Sequence, residues 1–190
     1  MEYKTKLVDG HEACFCSDWI ADLEQELHFN WCYQQADLAY SNCRRDQRIL
    51  EIGIGTGLLS DLLRKRGWNI KTLDIDENKS PDFCSSASEF DFIHHNIEIV
   101  LAFEIFEHIP FSTFEKVVDK LADSDLKAIY FSLPWNERQL IDFRLKLPRL
   151  EPLVWSLSFP TGEIVTRAHF WELSKKPDHL AQSNWSTLLA

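Results

Sequence analysis

The sequence predicts an α/β protein built on a doubly wound, mostly parallel sheet. Buried strand patterns alternate with amphipathic helix patterns along residues 48–135, as they do when parallel strands are joined by helical crossovers. A glycine-rich turn follows the first of these strands, and an aspartate ends the second. Open α/β sheets bind ligands beyond the carboxyl ends of their strands, so the turn and the aspartate also indicate where a ligand would bind.

Each element of this core is indicated by its apolar spacing. Apolar runs predict strands over residues 48–53, 69–74, 96–103 and 127–133, whereas residues 82–92 show no clear pattern. The first helix is predicted from an apolar face of four leucines and ends near Gly67: Leu58, Leu59, Leu62 and Leu63. The second helix follows a capping box, Ser112-Thr-Phe-Glu115, and carries an apolar face: Phe114, Val117, Val118 and Leu121.

The flanks of this core are less regular. Helical spacing between residues 17 and 39 predicts two helices ahead of the sheet, with these apolar positions: Trp19, Ile20, Leu23, Leu27, Phe29, Cys32, Tyr33, Ala36 and Ala39. A further helix is predicted over residues 137–146. The later aromatics could line an apolar pocket or pack in the core: Trp135, Trp155, Phe159, Phe170 and Trp171.

Composition restricts the class of protein. A formal net charge of -10 disfavours binding to the phosphate backbone of a nucleic acid, so no nucleic-acid partner is expected. No apolar run is long enough to span a membrane and no signal-peptide pattern opens the chain, so we expect a cytoplasmic protein. The five cysteines form an odd set without zinc or thioredoxin spacing, which indicates reduced thiols.

The glycine turn reads Gly53-Ile-Gly-Thr-Gly57. Positions without side chains let a ligand approach the backbone N–H groups at the start of a helix. A dinucleotide fingerprint would require a glycine at position 58, which is Leu58, and this disfavours a nicotinamide-dependent oxidoreductase. Asp74 ends the next strand, where a carboxylate can accept hydrogen bonds from both hydroxyls of a ribose, with Asp76 as the alternative.

Three ordered stretches resemble the class I S-adenosylmethionine-dependent methyltransferases: Leu50–Gly57, Leu73–Asp76 and Leu101–Pro110. The resemblance implies a Rossmann-like fold and S-adenosylmethionine as cofactor. It implies that the methionine part lies among residues of the first strand and turn, namely Glu51, Gly53, Ile54, Gly55 and Gly57. It also implies that Asp74 holds the ribose beside Ile75, that Ala87 borders the adenine, and that Phe103 lies near the sulfonium or packs in the core.

A compact titratable cluster follows the third predicted strand. His108 could deprotonate a hydroxyl or amine acceptor, with Glu107 beside it. Together with Glu104 and His169 these groups also resemble the metal site of small-RNA 2′-O-methyltransferases, but the acidic chain disfavours RNA and we expect no metal. The remaining alternative is that these side chains only shape the site.

The expected function is methyl transfer from S-adenosylmethionine to a small-molecule acceptor. The alternative is a catalytically inactive, cofactor-binding relative with a regulatory or assembly role. We expect residues 1–190 to form one domain, with a helical cap over residues 1–46, the cofactor-binding core over residues 47–135 and a substrate-side region over residues 136–190.

The chain is short for this family, whose sheet normally ends in an antiparallel sixth and seventh strand. Residues 153–159 and 164–170 either supply abbreviated strands or leave the sheet open or truncated at its C-terminal edge. An open edge invites pairing with another chain, so a homodimer formed through this edge is expected.

Overall fold

The computed structural model describes residues 4–8, 10–15, 26–134, 137–145, 153–160 and 170–171. Within these ranges only the backbone is described for residues 13–15, 26–27, 137–145 and 153–160. No helix in this part of the chain is long and apolar enough to cross a membrane.

The centre of the molecule is a sheet of five parallel strands in the order β5-β4-β3-β6-β7. Its strands are β3 (Ile49–Ile52), β4 (Ile70–Asp74), β5 (Phe83–Cys84), β6 (Ile99–Phe103) and β7 (Ala128–Ser132). Strands β4 and β5 extend the sheet to one side of β3, and β6 and β7 extend it to the other. The order therefore reverses at β3, which places the crevice for a ligand beyond the carboxyl end of that strand. This confirms the predicted fold class and four predicted strands.

Two cores cover the two faces of the sheet. Alternate residues of β3 and β6 point to opposite faces, as the pleat of a strand requires. One face packs against α3 (Phe111–Ala122) through a cluster that includes Leu50, Val100, Phe114 and Val117. The other packs against α1 (Glu26–Asn42) and α2 (Leu58–Lys65) through Ile49, Ile99, Ala36, Ala39, Leu59 and Leu63. Helices on both faces make the fold doubly wound.

The helix predictions hold in position but not in every detail. In α2 only Leu59 and Leu63 are buried, whereas Leu58 and Leu62 are 41% and 38% exposed, because they lie on the adjacent stripe of the helix. The prediction of a capping box at Ser112–Glu115 was wrong. Helix α3 begins after Pro110, which occupies the N-cap position with φ -55° and makes no side-chain cap, so Ser112 already lies inside the first turn.

The N-terminal region differs from the predicted helical cap. Strands β1 (Lys4–Val8) and β2 (His11–Phe15) form an antiparallel hairpin in which Val8 pairs with His11. Asp9-Gly10 is a strong hairpin signal, and Gly10 has the left-handed φ of +76° that such a turn requires. Helix α1 confirms the second predicted helix; the first falls mostly on residues 16–25, outside the described ranges.

The C-terminal region contains a second antiparallel pair, formed by β8 (Glu137–Leu145) and β9 (Leu153–Pro160). The helix predicted over residues 137–146 was wrong, since Ile141, Phe143 and Leu145 alternate with polar residues at the period of a strand. Residues 153–160 do form a strand, as one alternative predicted, but it pairs with β8 and not with the central sheet. Of the strand predicted over residues 164–170, only Phe170 is described, and it lies in a bend. Within the described residues, no strand pairs with the outer edge of β7.

Candidate functional site

The glycines of the turn after β3 meet two different structural requirements. Gly53, Gly55 and Gly57 all adopt positive φ, at +77°, +56° and +77°. A Cβ at Gly53 would lie 2.6 Å from Ile105 Cδ1, so the loop after β6 packs directly on this residue. A Cβ at Gly55 would meet nothing within 4 Å. Gly55 therefore leaves open space over the turn, which is where a ligand can approach the backbone.

Asp74 is tied to the glycine turn by hydrogen bonds. The Ile54 N–H donates to Asp74 Oδ2 at 2.9 Å, and the Asp76 N–H donates to Asp74 Oδ1 at 2.9 Å. The Lys79 ammonium also donates to Asp74 Oδ2 at 3.0 Å, in an ion pair whose side chains are only 17% and 4% exposed. Sequence reasoning missed Lys79, although a lysine five residues after an acid at a strand end is a signal that could have suggested it. The turn and the acid thus form one unit.

Asp76 has a structural task. Its Oδ1 accepts hydrogen bonds from the Asn78 N–H at 3.1 Å and from Asn78 Nδ2 at 2.6 Å, and so it caps the short 3₁₀ turn Glu77–Lys79. This turn carries Lys79 to Asp74. Of the two acids considered for the ribose, Asp74 is the one joined to the glycine turn.

Glu51 lies on β3 beneath the turn, with only 4% of the residue exposed. Its Oε2 is buried and has no hydrogen-bond partner among the described residues. Burial raises the pKa of the Glu51 carboxyl to about 8; a hydrogen bond from Ser60 and the charge of Arg64 lower it in part, and the Asp74 charge raises it further. A buried carboxyl with one unpartnered oxygen fits a cation that donates hydrogen bonds, such as the ammonium of a methionine moiety.

The remaining expected cofactor residues lie at or just after the carboxyl ends of strands: Ile75 after β4, Ala87 after β5 and Phe103 at the end of β6. Ile75 is half-buried, and its carbonyl accepts a hydrogen bond from Lys6 Nζ of β1 at 3.0 Å. Phe103 is half-buried and packs against the core on the α1 face, and Ala87 packs against the core on the α3 face. The sequence contains no signal that brings Lys6 to Ile75, because that contact joins residues 69 positions apart.

The side chains of the cluster after β6 differ in burial. Glu104 is exposed and has a positive φ of 50°, whereas Glu107 is buried, with 1% of the residue exposed. The His108 side chain is 37% exposed, and its Nε2 lies 3.9 Å from Glu107 Oε1. Within the Glu107–His108 pair, His108 is the accessible group and Glu107 the buried one. No group of three potential metal ligands exists among the described residues, and His169 lies outside them.

The loop that holds this cluster is fastened by the C-terminal part of the chain. The Phe170 N–H donates to the Glu107 carbonyl at 2.8 Å, and Trp171 Nε1 donates to the Ile109 carbonyl at 3.0 Å. The Trp171 ring is buried, with its centroid 5.4 Å from Phe111 and 5.2 Å from Phe114. Of the two alternatives for Trp171, core packing is the one found.

A cleft of about 340 Å³ lies between the glycine turn, α2 and the turn that follows β4. Its lining is mostly polar and includes Gly55, Thr56, Ser60, Arg64, Asn78 and Lys79. The cleft thus reaches Lys79 from the side of α2, whereas Asp74 does not line it.

The doubly wound sheet, the glycine turn after β3 and the acid that ends β4 together define a class I S-adenosylmethionine-dependent methyltransferase. A family model described as a methyltransferase domain matches residues 15–171, and the chain belongs to this family.

Among solved structures, the chain is similar to a crystal structure of the glycopeptide N-methyltransferase MtfA complexed with sinefungin. The identity is 13% and the TM-score 0.45, and the match covers 67% of this chain and 66% of that one. No curated protein is significantly similar to the sequence.

Proposed function

We propose that this protein transfers the methyl group of S-adenosylmethionine to a small-molecule acceptor. The observation that carries the proposal is the 2.9 Å hydrogen bond from the Ile54 N–H to Asp74, which joins the glycine turn to the acid while Gly55 stays open beside them. This arrangement supports recognition of a ribose by the acid and close approach of the rest of the cofactor to the turn.

The binding roles follow from the charges of the site. Asp74 would accept hydrogen bonds from the ribose hydroxyls. These hydroxyls would compete with the Lys79 ammonium, which lies 3.0 Å from Asp74 Oδ2, or displace it. Glu51 would accept from the ammonium of the methionine part, because its buried Oε2 lacks a partner within the described residues. A cation next to Glu51 would also favour the ionised carboxylate and so oppose the pKa shift caused by burial.

Methyl transfer depends more on the alignment of the acceptor with the methyl group than on acid–base chemistry. When bound, the cofactor supplies an activated methyl group on a sulfonium. The protein must hold the acceptor in line with that methyl and remove a proton if the acceptor is a hydroxyl or an amine. His108 is the candidate for this proton, because its imidazole is partly exposed while Glu107 beside it is buried.

A small-molecule acceptor is supported by the charge of the chain. With a net charge of -10, the protein has no general attraction for the phosphates of RNA or DNA. The elements that follow β6 and β7 in sequence are candidates for the acceptor pocket, and they carry many aromatic side chains suited to an apolar or ring-bearing molecule.

Calorimetric titration tests the cofactor assignment. Wild type is expected to bind both S-adenosylmethionine and its demethylated product, and not a nicotinamide nucleotide. Asp74→Asn is expected to weaken binding at least about tenfold, since a hydrogen bond to a charged group contributes about 1.5–3 kcal/mol. Asp119→Asn, on the exposed face of α3, serves as the matched control. No binding by folded wild type, or equal binding by Asp74→Asn, would contradict the assignment.

Catalysis requires a separate test. A panel of hydroxyl, amine and thiol acceptors is incubated with methyl-labelled cofactor, and transfer of the label is measured for wild type and His108→Gln. For a hydroxyl or amine acceptor, loss of a general base is expected to lower the rate by about 10²-fold or more and to remove the acidic limb of the pH profile, where the rate falls as the base is protonated. Cofactor binding without transfer to any acceptor would favour the non-catalytic alternative, a regulatory or assembly protein.

A further inference from the structure

Lys79 connects the cleft beside α2 with the acid that ends β4. Its ammonium donates a hydrogen bond to Asp74 Oδ2 at 3.0 Å, and the residue also lines the cleft of about 340 Å³. Asp74 does not line that cleft. The two side chains are only 17% and 4% exposed. Lys79 therefore lies between the cleft and Asp74.

The Asp74 carboxylate has few acceptor positions left. A carboxylate offers roughly four such positions, two on each oxygen. Oδ2 accepts from the Ile54 N–H at 2.9 Å and from Lys79 at 3.0 Å, and Oδ1 accepts from the Asp76 N–H at 2.9 Å. Among the described residues this leaves about one position, on Oδ1. The two hydroxyls of a ribose need two, so one of the present donors must leave.

Of the three donors, Lys79 is the one that can move. The Ile54 and Asp76 donors are backbone N–H groups and cannot leave without a shift of the chain. The Lys79 ammonium, by contrast, stands at the end of a flexible side chain. The 3₁₀ turn that carries Lys79 is held independently of the ion pair, because Asp76 Oδ1 accepts from the N–H and from Nδ2 of Asn78 at 3.1 and 2.6 Å. The side chain can therefore swing while its backbone stays in place.

The cleft gives the displaced ammonium a second carboxylate. Asp61 of α2 is in the lining, its side chain is 65% exposed, and its Oδ1 lies 4.0 Å from Arg64 Nη1, at the limit of an ion pair. Arg64, the other cation in the lining, is itself held by Asp82 and by Thr72 Oγ1. Asp61 is thus accessible to another cation, and Lys79 can exchange one carboxylate for the other.

We propose that Lys79 sets the affinity of the cofactor site: in the ligand-free protein it occupies the acceptor position of Asp74 that the ribose needs, and on binding it moves into the cleft beside α2. The inference rests on the proposed function, because it takes the ligand of Asp74 to be the ribose of S-adenosylmethionine. The ion pair that stabilises the ligand-free protein then also lowers its affinity for the cofactor.

Calorimetric titration of Lys79→Met measures this competition. Methionine keeps a long, unbranched side chain but donates no hydrogen bond. The variant is expected to bind S-adenosylmethionine about tenfold more tightly than wild type, the order of one hydrogen bond to a charged group. It is also expected to unfold at a lower urea concentration than wild type. A purely structural role of Lys79 would instead lower stability and affinity together.

Two controls separate competition from a change in charge. Removal of a positive charge near the site would by itself favour the positively charged sulfonium of S-adenosylmethionine. The demethylated product has no sulfonium but carries the same ribose, so its affinity should rise by the same factor. Lys116→Met, an exposed substitution on α3, removes the same charge elsewhere and should leave both affinities within about twofold of wild type, since distant exposed charges are screened.

Acetylation of the wild-type protein reports the position of Lys79 without any substitution. The lysine nitrogen forms a bond to an acyl carbon of acetic anhydride, the bond from that carbon to the bridging oxygen breaks, acetate leaves, and the proton goes to the buffer. Peptide mass spectrometry measures labelling at Lys79 relative to Lys116, a ratio that cancels any reagent consumed by the amine of the cofactor. Saturation with S-adenosylmethionine should raise this ratio at least about threefold, because Lys79 leaves its buried ion pair for the cleft.

The outcomes separate the two claims. If folded wild type does not bind S-adenosylmethionine, the proposed function fails and this inference fails with it. If wild type binds the cofactor, equal or weaker binding by Lys79→Met overturns this inference alone, and so does a gain confined to the sulfonium ligand. An unchanged or lower labelling ratio at Lys79 also overturns it, and this measurement decides the matter if Lys79→Met does not fold.

Discussion

Replacing Glu51 with glutamine should change how the stability of the protein depends on pH. The carboxyl is buried beneath the glycine turn, and burial raises its pKa in the folded protein to about 8 from its ordinary value of 4.5. A raised pKa means that the folded state holds this proton more tightly than the unfolded state does. The stabilisation due to the proton is complete below the unfolded pKa and is lost as the pH rises through the folded pKa.

The expected size of the effect follows from these two values. The pKa difference is 8 − 4.5 = 3.5 units, and each unit corresponds to about 1.4 kcal/mol. The free energy of unfolding of wild type should therefore fall by about 5 kcal/mol over the whole titration because of Glu51 alone, of which about 4 kcal/mol is lost between about pH 4.5 and pH 8. Glu51→Gln removes this contribution, since the amide does not titrate.

Urea unfolding at several pH values between about 5 and 8 measures the effect. The difference in unfolding free energy, Glu51→Gln minus wild type, should increase by about 1.4 kcal/mol per pH unit, because all other groups titrate in both proteins. Glu115→Gln, an exposed substitution on α3, is the control and should give a constant difference. A constant difference for Glu51→Gln as well would refute the assignment of a buried, proton-holding carboxyl.

Four further predictions concern packing and association. Gly53→Ala should lower the thermal midpoint by several degrees, because the new methyl group clashes at positive φ, whereas Gly55→Ala should change it less but weaken cofactor binding at least about tenfold. Lys79→Met should cost about 1–3 kcal/mol in urea unfolding, since Asp74 stays buried with only backbone donors. Trp171→Ala should cost about 3–5 kcal/mol, and unchanged stability would contradict its core position. Light scattering should show a dimer if the edge of β7 pairs between chains, and a stable monomer would contradict it.

Much of the core could be predicted because its signals are local. Strands β3, β4, β6 and β7 are apolar runs that fit a buried sheet, and the glycine turn and Asp74 stand at fixed distances from those strands in the sequence. Parallel pairing brings the carboxyl ends of neighbouring strands together whatever the remaining details are. For this reason Glu51, Gly55 and Asp74 could be placed in one site from the sequence.

The missed features depend on competing local signals or on distant contacts. The Asp9-Gly10 turn precedes a long stretch with helical spacing, which favoured helices for the whole N-terminal region. Over residues 137–145 the strand period and the helix period are both compatible with the apolar residues. Lys79 and Trp171 act through contacts formed only in the folded chain, with Asp74 and with the carbonyl of Ile109.

The most direct test of the central claim is hydrogen–deuterium exchange of the protein with and without S-adenosylmethionine. The cofactor should slow exchange in the peptides that contain Glu51–Gly57 and Asp74–Asn78, because their backbone N–H groups form the floor of the proposed site. Exchange in the outer turns of α3, on the other side of the sheet, should change little. Unchanged exchange at the glycine turn, or protection confined to other parts of the chain, would contradict the assignment of this site to the methyl donor.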